Sequence, residues 1–171
     1  MSEELNGVRV RLETTAGDMT VEFLTDVAPN HAANFVKLAR TGFYDGTRFH
    51  RVIPGFMIQG GDPNTKEDNS RLWGTGGPGW SVDAEFNDVH HERGILSMAR
   101  STDPNSAGSQ FFVVHGEAGF LDGQYTAFGR LIDGFDVLDE IANAATTPGG
   151  EGSTPVNPVQ VKTAVVIDAA G

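Results

Sequence analysis

The sequence predicts a mainly β domain, an antiparallel barrel or sandwich with two covering helices. Three observations carry that expectation. Apolar residues alternate with polar ones in short runs at both ends of the chain. Only two stretches carry apolar residues at helical spacing. The seven or eight strand candidates do not alternate with helices, so a parallel sheet of βαβ units is not expected. A chain of 171 residues suits one domain with a sizeable core, taken as residues 1–171.

Val8, Val10 and Leu12 alternate with Arg9, Arg11 and Glu13; Met19, Val21 and Phe23 alternate with Thr20 and Glu22. Thr15-Ala16-Gly17-Asp18 supplies the turn, so the chain opens with a hairpin that has one dry face. Pro29-Asn30 suits a helix start, Ala32, Phe35, Val36, Leu38 and Ala39 form its stripe, and Gly42 suits its stop. Residues 49–53 and 56–59 read as short buried strands broken by Pro54-Gly55. Residues 62–83 form a loop long enough to suggest a functional role, with a turn-rich tail Gly74-Thr75-Gly76-Gly77-Pro78-Gly79. Residues 95–99, 111–114 and 126–132 are further strands. Val137, Leu138, Ile141 and Ala142 mark a second short helix. Residues 144–158 read as an exposed loop, and Val159, Val161, Thr163, Val165 and Ile167 as the last strand.

Composition narrows the function. The chain has no cysteine, which excludes disulfides, thiolate catalysis and zinc–thiolate sites. With 23 acids against 12 bases the net charge is −11, which argues against nucleic acid and anionic membrane surfaces as partners. No apolar run approaches the ~20 residues needed to span a bilayer. The N-terminus Met1-Ser2-Glu3-Glu4-Leu5-Asn6 lacks the basic and apolar regions of a signal peptide, so a cytoplasmic location is expected. Only three of the bases are lysines (Lys37, Lys66, Lys162). An acid-rich, lysine-poor chain suits a halophilic setting, where concentrated salt screens its self-repulsion.

A nucleophile elbow, a P-loop lysine and an HExxH motif are all missing. His90-His91-Glu92 comes nearest to a metal cluster, but adjacent residues on a strand point to opposite faces. It reads as a solvated loop, and no metal or cofactor is expected. The glycine-rich tail lacks a following basic residue and loses an N–H at Pro78, so it reads as a structural or substrate-lining loop, not a phosphate cradle.

Arg51 stands apart. It lies in Phe49-His50-Arg51-Val52-Ile53-Pro54-Gly55-Phe56-Met57-Ile58-Gln59-Gly60-Gly61-Asp62, a permanent charge inside an apolar and aromatic run. An unpaired cation there is costly. Either Arg51 pairs with a buried acid such as Glu85, or it stands at the mouth of an apolar pocket and acts on what enters. Taken singly, Phe56, Met57 and Phe112 read as core, Gln59 and Gln110 as partners for loop backbone, and His50 as structural.

Two more segments join this run: Leu96-Ser97-Met98-Ala99-Arg100 with Pro104-Asn105-Ser106-Ala107-Gly108-Ser109-Gln110-Phe111-Phe112, and Phe120-Leu121-Asp122-Gly123-Gln124-Tyr125-Thr126-Ala127-Phe128-Gly129. Together they resemble the cyclophilin family of peptidyl-prolyl cis-trans isomerases, and the likeness runs from the first hairpin to the last strand. The resemblance implies a closed eight-stranded antiparallel β-barrel capped by two α-helices, with the active site in a surface groove. It implies catalysis of X-Pro rotation in polypeptides, assisting protein folding, without a cofactor. Arg51 matches the catalytic arginine. Phe56, Met57, Phe112 and Leu121 match the proline pocket, Gln59, Ala99, Arg100 and Gln110 the groups that hold the peptide backbone, and Gly74 and Thr75 the rim of the neighbouring pocket. Three positions depart from the common pattern. Phe120 replaces a Trp that contacts cyclosporin, Tyr125 replaces a His, and Arg100 replaces an Asn. Implied partners are X-Pro-containing polypeptides and cyclosporin-like cyclic peptides, and a monomer is expected. A proline-peptide binding module of the same fold is the alternative function.

Overall fold

The structure, a computed structural model, describes residues 5–147 and 152–169. Its strands are β1 (Arg9–Thr14), β2 (Gly17–Phe23), β3 (Arg51–Ile53), β4 (Met57–Gly60), β5 (Ile95–Met98), β6 (Phe111–Val114), β7 (Ala127–Asp133) and β8 (Val161–Ile167). Its helices are α1 (Pro29–Arg40), after β2, and α2 (Phe135–Ala142), after β7. The strands form one antiparallel sheet in the order β3-β4-β6-β5-β7-β2-β1-β8. The expected β architecture with two helices is present.

The expected closure is not. The sheet is a curled half-barrel, open between β3 and β8. β3 is three residues long, pairs with β4 and is followed by Pro54, and it stands at the opposite end of the sheet order from β8. The seam is crossed instead by single contacts: an Arg48–Gln160 bridge, Phe49 N–H donating to the Val159 carbonyl at 2.9 Å, and Val52 N–H donating to the Ser153 carbonyl at 2.8 Å. The stretch expected as an exposed loop, residues 144–158, therefore contributes to the interior. Ser153 and Pro155 are buried along this seam, while residues 148–151 lie outside the described residues.

Strand β6 explains how one sheet supports two apolar clusters. Its side chains alternate between faces. Phe111 and Val113 join the main core, with Phe35 and Leu38 of α1, Leu138 and Ile141 of α2, and Phe128. Phe112 and Val114 join a smaller cluster on the other face with Met57, Ile95, Ala118 and Ala127. Both faces of β6 are covered, which is why it reads as a continuous apolar run.

Helix α1 starts with Pro29 in the first turn and has no cap from its own side chains. Glu85 replaces the cap from a distance. Its carboxylate accepts from Asn30 N–H at 3.2 Å and His31 N–H at 2.8 Å, and it also bonds His31 Nδ1 at 2.8 Å. A carboxylate here satisfies open N–H groups and sits at the favourable end of the helix dipole. Glu85, the acid offered as a partner for Arg51, is thus engaged with α1.

Candidate active site

Sheet register assembles the site. Arg51 on β3 lies opposite Gln59 on β4, and Gln59 lies opposite Phe112 on β6. Directly paired residues project from the same face, so three side chains 61 positions apart at most in sequence form one row. Ile53, Met57 and Val114 form the next row on that face. Arg51 Nη1 donates to Gln59 Oε1 at 3.3 Å, Gln59 Nε2 donates to Gln110 Oε1 at 3.1 Å, and Gln110 Nε2 donates to the Gly76 carbonyl at 3.0 Å. This relay joins the guanidinium to the glycine-rich loop and fixes both amide orientations.

A pocket of about 510 Å³ opens over this row. Its apolar lining comes from Phe56, Met57, Phe112, Phe120, Leu121 and Tyr125, and Arg51 stands in its wall. Met57 and Phe112 are buried and form its floor, whereas Phe120 is 66% exposed and packs its ring 5.4 Å from Phe56 as a rim. Tyr125 meets Phe112 edge-on at 5.9 Å. A second pocket of about 710 Å³ adjoins it, sharing Gln59, Gly74, Ala99 and Arg100. Thr75, Gln110, Trp80 and Ser81 line this second, more polar space.

Two local devices hold the walls. The buried Asp62 accepts from Asn64 N–H at 2.8 Å and from Gly74 N–H, tying down the glycine-rich loop. At Gly76 a Cβ would sit 2.3 Å from Asp62 Oδ1, so the close approach needs glycine. On the opposite wall a short 3-10 turn, Gly119–Leu121, carries Phe120 and Leu121. Asp122 follows it and bonds both His90 Nδ1 and His91 Nδ1, the latter at 2.9 Å. Chiefly through the hydrogen bond from His90, Asp122 is held at a pKa of about 2. His90 is pushed up by Asp122 and Glu117, whereas burial pushes His91 down.

Residues 9–166 match the profile of the family described as cyclophilin type peptidyl-prolyl cis-trans isomerase/CLD. The chain is 46% identical over 147 residues to peptidyl-prolyl cis-trans isomerase CYP18-1 of Arabidopsis thaliana, covering 82% of this chain and 86% of that one. It superposes on a cyclophilin type peptidyl-prolyl cis-trans isomerase of Cryptosporidium parvum with a TM-score of 0.82 at 36% identity, covering 95% of this chain and 98% of that one. A second structure of that protein, in the presence of the dipeptide Ala-Pro, gives 0.81 at 35% identity, covering 95% and 99%. The chain belongs to the cyclophilin-type peptidyl-prolyl cis-trans isomerase family.

In this cyclophilin, the thirteen residues expected at the site fall into the two joined pockets. Thr75 and Gln110 line only the second pocket; the other eleven line the first. Sequence reasoning missed two members of the first pocket, His50 and Trp73. His50 was expected to be merely structural; it is buried yet borders the pocket, and burial lowers its pKa against the pull of Asp62. Trp73 immediately precedes Gly74-Thr75, and an indole inside so polar a loop was the available signal. The solvated loop expected at His90-His91 needs correction too. His91 is 1% exposed, bonded to Ser97 Oγ at 2.8 Å and stacked on Phe112 at 6.2 Å. The segment is not a strand, so its adjacent imidazoles are not forced to opposite faces, and both turn to one carboxylate. Among the described residues no group of three or more His, Asp or Glu side chains could hold a metal ion, and no helix is long and apolar enough to cross a membrane.

Proposed function

We propose that this cyclophilin catalyses rotation about X-Pro bonds with the proline held in the pocket beside Arg51. One observation carries the reading: a guanidinium, an apolar socket and a glutamine relay meet in one open pocket. Unaided, the rotation faces a barrier of ~18–20 kcal/mol and takes tens to hundreds of seconds. The barrier is lost amide resonance. In the half-rotated bond the proline nitrogen becomes pyramidal and gains a lone pair. It then accepts a hydrogen bond that the planar amide cannot, and Arg51 is the donor. This bond forms mainly in the transition state, so it accelerates the reaction more than it tightens binding.

Phe56, Met57, Phe112 and Leu121 receive the pyrrolidine ring, with Phe120 and Tyr125 at the rim. Gln59, Gln110, Ala99 and Arg100 hold the peptide, and Gly74 and Thr75 border its neighbouring residues. No proton is transferred and no covalent bond forms, so the rotation asks for no cofactor. The substrates are X-Pro segments of cytoplasmic polypeptides, whose folding a monomeric enzyme assists. Cyclosporin-like cyclic peptides compete for the groove, weakly, because Phe120 lacks the indole N–H of the common Trp.

Following the cis-to-trans relaxation of a model X-Pro peptide, with and without cyclosporin and at low and high salt, tests this reading. Catalysed relaxation is the expected result. A chain that binds the peptide without speeding its rotation would instead be a binding module.

A further inference from the structure

Two of the positions that depart from the common family pattern touch each other. The Arg100 guanidinium lies 4.6 Å from the centroid of the Tyr125 ring. Nε and Nη2 donate to the Gln124 carbonyl at 3.2 and 2.8 Å, and Nη1 donates to the Ser101 carbonyl at 3.0 Å. The forked side chain is therefore held over an aromatic face by several N–H groups at once, as a lysine could not be. All of these acceptors are neutral, so they orient the cation without cancelling its charge. A second N–H on Nη2 remains for a ligand.

Arg100 also borders both pockets. Among the described residues no Asp or Glu lines either one, although the chain carries 23 acids. The groove is thus a local exception on an acidic protein. At physiological ionic strength the Debye length is ~8 Å, so repulsion from distant carboxylates is largely screened while a contact pair inside the groove is not.

We propose that Arg100, positioned by Tyr125, is a specificity determinant that favours peptides bearing a carboxylate side chain within two residues of the proline. The inference rests on the groove being the prolyl-peptide site. Arg100 acts on the flanking residue, and the rotating bond is left to Arg51.

The test uses peptides with Glu, Gln or Lys at each of the two positions before and after proline, measuring both turnover and binding. At the best of these positions the wild-type chain should favour Glu over Lys by roughly fivefold in kcat/KM and in affinity, and added salt should shrink the ratio. In Arg100→Gln the ratio should fall to near one and lose its salt dependence. Arg100→Lys should keep a Glu preference, because the charge stays even though the fork is lost. Equal handling of Glu and Lys by the wild type at all four positions overturns the proposal, as does a ratio that survives in Arg100→Gln. Preferential binding of Glu peptides without turnover of any peptide would refute the isomerase reading while supporting the role of Arg100.

Discussion

Arg51 was conspicuous in the sequence as a cation in a greasy run, but the run alone allowed a buried ion pair or a pocket mouth. In the fold Glu85 is engaged at the start of α1, and Arg51 borders the open pocket beside Gln59. Arg51→Ala is expected to lower kcat/KM at least tenfold while the circular dichroism spectrum stays unchanged. An unimpaired variant would remove Arg51 from the mechanism. The aromatic and glutamine positions of the pocket were legible through the family resemblance. His91 was not: its partners are Asp122, Ser97 and Phe112, and nothing in the local pattern brings them together.

Among the elements, the first hairpin and the last strand were readable because one face is wet, and alternation marks that difference. Strand β6 hid its two faces, since apolar residues cover both and leave no contrast along the chain. Helix α1 showed its stripe but not its cap, which comes from Glu85, 55 residues from Asn30. Phe35 on α1 anchors the helix to the main core, with ring centroids 4.9 Å from Tyr44, 5.2 Å from Phe111 and 5.7 Å from Phe128. Phe35→Ala should destabilise the fold by about 3–5 kcal/mol, read as a lower urea midpoint at an unchanged m-value. A loss below about 1 kcal/mol would mean that the helix is held mainly by other contacts.

At the scale of the molecule, charge governs the response to conditions. Burial pushes His31, His50 and His91 below the ordinary histidine value. The unfolded chain therefore binds more protons between those lowered values and about pH 6.5. Stability from these groups is complete above about pH 6.5 and is lost as the pH falls through the lowered values. His90 has the opposite sign, but it is exposed and solvent screens its pairs. The urea midpoint should fall between about pH 7.5 and about pH 5; a flat profile would contradict the burial argument. The net charge of −11 adds a second expectation. If the chain is adapted to concentrated salt, its melting temperature should rise steeply with potassium chloride, and full stability and activity in low salt would remove that idea.

The sequence by itself determined the mainly β class, the two helices, the acidic balance, and the residue types that a prolyl pocket needs. These depend on local alternation, composition and contiguous motifs. Tertiary structure decided that the barrel stays open at the β3–β8 seam, that His91 packs behind Phe112, and that Arg100 and Tyr125 form one unit. Each of these depends on register or on contacts between distant segments, and a one-dimensional pattern carries no information about which row a side chain joins.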